Sequence, residues 1–78
     1  MDWHWTQHIL IQMEEREIPK DLVEMTLESP DNRVKGKKSR MIYQKIVSGK
    51  LLRVVTKGDL LITVYMTEKI RKYMEEGD

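Results

Sequence analysis

Apolar positions along this chain follow two periods, and the switch falls near residue 33. Ahead of it the spacing is helical. Ile9, Leu10 and Met13 share a stripe that continues to Glu17, with Trp5 close to the same line. Thr6 is a fair N-cap, so a helix is predicted over about residues 7–17. Trp3 and Trp5 flank His4 with period two, which predicts an extended lead-in segment. Pro19 stands where a second helix would have its first position, a place that tolerates the missing N–H. Asp21 and Glu24 suit its positive end, and Ile18, Leu22, Val23, Met25 and Leu27 give it an apolar side. Ser29-Pro30-Asp31-Asn32 stops it.

After the switch the period is two. Met41–Val47, Leu51–Thr56 and Leu60–Met66 are rich in β-branched residues, and Arg33–Gly36 reads as a short first strand. Gly36-Lys37-Lys38-Ser39, Ser48-Gly49 and Lys57-Gly58-Asp59 are the turn signals between them. Taking Lys57-Gly58-Asp59 as a three-residue loop sets Thr56 opposite Leu60, Val54 opposite Ile62 and Leu52 opposite Val64. One face then holds Leu52, Val54, Leu60, Ile62, Val64 and Met66. The other holds Leu51, Arg53, Val55, Leu61, Thr63 and Tyr65, and a two-residue Ser48-Gly49 turn adds Gln44 opposite Arg53. The two helices are expected to cover the apolar face, leaving the mixed face partly open around Arg53, Thr63 and Tyr65. Thr67 caps a last short helix with Ile70, Tyr73 and Met74. The expected class is α+β: two N-terminal helices packed on a four-stranded antiparallel sheet, then a short C-terminal helix.

Seventy-eight residues make one domain, residues 1–78, with a thin stability margin. The absence of cysteine excludes a disulfide framework, a thiolate zinc site and a cysteine nucleophile. Apolar runs such as Ile9–Ile11 and Leu60–Ile62 are far shorter than the about 20 residues a membrane helix needs. Met1-Asp2-Trp3-His4-Trp5 has neither a basic region nor an apolar run, so no signal peptide and a cytoplasmic location are expected.

The net charge of +1 conceals two halves. Residues 1–28 carry seven acids against two bases, and residues 29–78 carry twelve bases against six acids. Between 33 and 57 there are nine bases and no acid, a field suited to a polyanion or an acidic protein, or else to protecting a sheet edge.

His8, Gln12 and Arg16 recur one turn apart as a polar stripe on the first helix. Histidine is the side chain that most readily exchanges protons near neutral pH. The structural alternatives are a His8 bond to a backbone carbonyl and an Arg16 ion pair with Glu15, Asp21 or Glu24. Arg53 interrupts Leu51-Leu52-Arg53-Val54-Val55, where a guanidinium needs a partner or an anionic ligand. No phosphate loop, dinucleotide fingerprint, HExxH or nucleophile elbow occurs. His4 and His8 lack the further ligands a metal site requires, so no metal and no cofactor are expected.

Several short motifs recur in a fixed order: Trp5-Thr6-Gln7-His8, Arg16-Glu17-Ile18, Ser29-Pro30-Asp31, Tyr43-Gln44-Lys45, Gly49-Lys50-Leu51-Leu52-Arg53-Val54-Val55 and Thr63-Val64-Tyr65-Met66-Thr67-Glu68-Lys69. Together they resemble a family of small uncharacterised bacterial, archaeal and phage domains related to the RelE and BrnT toxins. The resemblance spans about residues 3–73. It implies a barnase/EndoU/colicin/RelE-like fold and a metal-independent ribonuclease, the toxin of a toxin–antitoxin pair. Carried over by position, the candidates are His8, Arg16, Arg53 and Tyr65 as catalytic residues and Thr67 and Lys69 as RNA contacts, to which Lys45 is added as a further RNA-contacting candidate. In that reading His8 moves the proton, Arg53 and Arg16 neutralise charge on phosphorus, and Tyr65 orients or donates a proton. Lys69 holds a flanking phosphate, and the product is a 2′,3′-cyclic phosphate. Gln12 departs from the resemblance, which has an arginine there. The expected partners are RNA or the ribosome and an acidic antitoxin protein, with no membrane. The alternative is a non-catalytic RNA- or protein-binding module of the same fold.

Overall fold

A computed structural model describes residues 2–76. Its elements are α1 (Gln7–Glu15), α2 (Lys20–Glu28), β1 (Asn32–Lys35), β2 (Met41–Val47), β3 (Lys50–Lys57), β4 (Leu60–Thr67) and α3 (Ile70–Glu76). The strands form one antiparallel sheet in the order β1-β2-β3-β4, so the expected α+β class and architecture hold. Among the described residues no helix is long and apolar enough to cross a membrane.

Local chemistry accounts for the helix ends. Thr6 Oγ1 accepts from Ile9 N at 3.1 Å, as an N-cap should. The first helix is shorter than expected at its end. Glu17 takes a left-handed φ of 54°, and Ile18 N donates back to Met13 O at 2.8 Å, closing the helix in a turn usually built with glycine. Pro19 is the N-cap of α2 rather than its first helical residue, with ψ of 145°. The lead-in segment is extended: His4 N donates to Asp59 O, and Leu61 N donates to His4 O.

The hairpin between β2 and β3 turns on Ser48 and Gly49, both at positive φ, and sets Gln44 opposite Arg53 as expected. The next hairpin differs from expectation. Its turn is the two residues Gly58-Asp59, with Lys57 opposite Leu60 and Gly58 at φ +61°. A bulge then leaves Ile62 without a partner, since Thr56 pairs with Leu61 and Val55 with Thr63. One extra residue reverses the alternation. Leu61, with no exposed surface, therefore joins Leu52, Val54 and Val64 under the helices, while Leu60 is exposed and Ile62 half-buried.

The core formed on this face joins Ile9 and Met13 of α1, Ile18, and Val23 and Leu27 of α2 to Leu52, Val54, Leu61 and Val64. Leu61→Ala should lose about 2–4 kcal/mol of stability, as core leucines do, and Ile62→Ala about 1 kcal/mol. Urea unfolding of the two variants checks this, and the reverse ranking would put Ile62 in the core.

Candidate functional site

The second face of the sheet carries a polar row across all four strands. Register places Asn32, Gln44, Arg53 and Tyr65 side by side on β1, β2, β3 and β4. Arg53 is only 1% exposed. Its Nε donates to Gln44 Oε1 at 2.7 Å, and Nη1 donates to the Tyr65 hydroxyl. The Tyr73 ring of α3 stacks over the guanidinium, with its centroid 3.8 Å from Cζ. The row also holds α3 in place. Gln44 Nε2 donates to Tyr73 O at 3.3 Å and Asn32 Nδ2 to Met74 O at 3.2 Å. These are last-turn carbonyls, which a helix cannot satisfy itself. The part of the mixed face expected to be open at Arg53 is therefore closed by α3.

At the edge of the sheet, α1 lies along β4. The outward polar groups of an edge strand need partners. Leu61 O accepts from the Thr6 hydroxyl at 3.1 Å, Val64 N donates to Gln12 Oε1 at 3.1 Å, and Val64 O accepts from Arg16 Nη1 at 2.6 Å. Gln12 and Arg16 thus cap one residue from consecutive turns of a helix. Gln12 Oε1 also accepts from the Thr63 hydroxyl at 2.6 Å. Two donors on the oxygen fix the amide, so its nitrogen faces His8 Nε2 at 3.0 Å. That contact makes His8 Nε2 the acceptor and assigns the ring proton to Nδ1 by the hydrogen-bond partners.

Thr63 and Tyr65 also border a cavity of about 270 Å³. Ile42 and Val55 floor it, and Lys37, Lys38 and Arg40 rim it from the β1–β2 turn, where Lys38 and Ser39 take positive φ. A line of polar contacts therefore runs from His8 through Gln12 to Thr63 at this cavity, beside the Tyr65–Arg53 pair.

Of the residues singled out from sequence, Arg53 and Tyr65 are in direct contact, and His8 reaches their neighbourhood through Gln12. Arg16 is engaged by the β4 backbone rather than by an acid. Thr67 shares the face of Tyr65 one side-chain position along, and its hydroxyl accepts from Lys69 N at 3.1 Å. Lys69 is exposed. Lys45 lies apart, on the helix-covered face, where its Nζ donates to Ser29 O at 2.9 Å and stands 3.9 Å from Asp31. The nine bases of residues 33–57 are likewise dispersed: Arg33 lies over Tyr43, Arg53 is buried, and Lys37, Lys38 and Arg40 flank the cavity.

Sequence reasoning placed Thr63 and Gln44 on the face of Arg53 without giving them a role in the site, and it missed Tyr73. The Gln44–Arg53 register was a usable signal, since two polar groups opposite each other in central strands must satisfy each other. Nothing in the spacing of α3 announced that Tyr73 would lie on Arg53.

No curated protein and no solved structure matches the chain. The family description that matches names no activity, and nothing in it links the chain to the RelE or BrnT toxins. That family model, Domain of unknown function (DUF4258), matches residues 5–66, most of the chain, and the protein belongs to that family.

Proposed function

We propose that this domain binds single-stranded RNA on the second face of its sheet, at the cavity beneath the β1–β2 turn. The observation that carries this reading is the cavity's construction: three cations on the rim, an apolar floor, and Tyr65 and Thr63 on the wall. Cations take phosphate, an apolar floor with an aromatic ring takes a base, and a hydroxyl supplies a polar anchor. Its volume falls just below the roughly 300–1,000 Å³ of drug-sized ligand sites, which suits one nucleotide unit at a time. An acidic antitoxin segment would compete for the same cations.

Polarisation of a fluorescein-labelled single-stranded RNA tests the reading. Three phosphate contacts should give a log–log salt slope of about −2, at roughly −0.7 each. Changing Lys37, Lys38 and Arg40 together to alanine should flatten it. Absence of binding at low salt, or an unaltered slope in the triple variant, would refute the proposal.

One observation favours cleavage as a second reading for the same cleft: His8 is tied through Gln12 to Thr63 at its border. A neutral imidazole there is a proton acceptor for a ribose 2′-hydroxyl, once bound RNA takes the place of the Gln12 contact. The arginine at 53 acts in this reading by positioning Tyr65, because its guanidinium lies beneath Tyr73.

A further inference from the structure

On the helix-covered side a larger cleft, of about 680 Å³, opens between the N-terminal segment, α2 and β2. Its walls come from simple periodicities. Trp3 and Trp5 lie on one side of an extended segment, and Glu24 and Glu28 lie one turn apart on α2. Trp3 meets Tyr43 edge-on, with centroids 5.5 Å apart and planes at 85°. Asp2, Leu27 and Pro30 complete the lining, and Arg33 is its single base.

Two independent features give this cleft a preference of charge. Aromatic faces attract cations, and the chain's own cations already use these rings: Lys20 Nζ sits 4.8 Å from the Trp5 centroid and Arg33 Cζ 5.8 Å from that of Tyr43. Among the described residues, moreover, no ion pair engages Asp2, Glu24 or Glu28. Three carboxylates against the Arg33 guanidinium and the Lys20 ammonium at Trp5 leave the cleft with a net negative charge, opposite in sign to the cavity on the other face. It is also far roomier than a single ammonium or guanidinium group requires.

We propose that this cleft docks an extended basic segment of a protein partner, whose arginine or lysine side chains enter between the Trp3 and Trp5 rings and the Glu24 and Glu28 carboxylates. The proposal does not depend on the RNA reading, because the two sites share no lining residue.

The chain's only two tryptophans both line the cleft, so intrinsic fluorescence of the whole protein reports on it directly. Titration with the peptide acetyl-Gly-Arg-Gly-Arg-Gly-amide should give a saturable change that weakens with salt, and the glutamate counterpart should give none. The double variant Glu24→Gln/Glu28→Gln should bind about tenfold more weakly, the combined effect of two partly exposed ion pairs. Both carboxylates are exposed, so its urea midpoint should match that of the wild type. Four results would overturn the proposal. One is no saturable change at millimolar arginine peptide, and another is equal affinity in the double variant. The third is the same response to polyuridylate, which would make the cleft a base-stacking site. The last is a change driven by protein concentration alone with a doubled mass, which would make the occupant a second copy.

Discussion

Arg53→Ala is expected to lose about 3–4 kcal/mol of stability, enough to unfold much of a marginal domain. Arg53 holds four elements together: it donates to Gln44 on β2 and Tyr65 on β4 and lies under Tyr73 of α3. Truncation leaves the Gln44 oxygen buried without its donor, and a buried unsatisfied group costs about 1–3 kcal/mol. Loss of this desolvated stacked cation adds about 2 kcal/mol. The cavity left by the side chain adds more. Arg53→Lys keeps the charge but cannot reproduce a planar fork that serves two acceptors while stacking, so it should recover only part of the loss. Urea midpoints measure all three proteins. A midpoint for Arg53→Ala close to that of the wild type would contradict the burial of this side chain. It follows that loss of RNA cleavage in Arg53→Ala would not by itself make Arg53 catalytic. A variant must first be shown to be folded.

Most of the fold was legible because it follows from period and turn chemistry. Thr6 could cap only what followed it, Ser48-Gly49 fixed the Gln44–Arg53 register, and the period-two run after residue 33 excluded further long helices. The bulge was not legible. Leu60-Leu61-Ile62 are three apolar residues in a row, so alternation cannot say which of them faces inward. Lys57-Gly58-Asp59 serves equally as a three-residue loop or as a strand end followed by a two-residue turn. Helix periodicity shows which residues share a stripe but not what the stripe meets. His8, Gln12 and Arg16 therefore read as a polar stripe with His8 and Arg16 as catalytic candidates, whereas Gln12 and Arg16 satisfy the backbone of β4. The polar row on the second face was half legible, since strand pairing puts Gln44 and Arg53 together. Its closure by Tyr73 depends on how α3 folds back, which no local signal specifies.

The largest functional effect is expected at His8, and Gln12 decides how to read it. If the cleft cleaves RNA, His8→Ala should lower the rate by about 10²–10⁴, the usual contribution of a positioned acid or base. His8 is exposed and contributes no core contact, so its removal should leave the urea midpoint unchanged. Gln12→Arg should move the two properties in opposite directions. An arginine at 12 can still donate to His8 Nε2 and to the Thr63 hydroxyl, and it brings a guanidinium to the border of the cleft, where it can neutralise a phosphate. It has no acceptor, so Val64 N–H loses the partner that Gln12 Oε1 provides, at a cost of about 1 kcal/mol. Cleavage of a labelled single-stranded RNA should therefore rise in Gln12→Arg while its urea midpoint falls. A fall in both would mean that the Gln12 amide positions His8 and that the edge cap is the more important role. If wild type and Gln12→Arg both leave RNA uncut, free or on ribosomes, the cleavage reading fails and the salt-dependent binding assay alone decides what the basic cavity does.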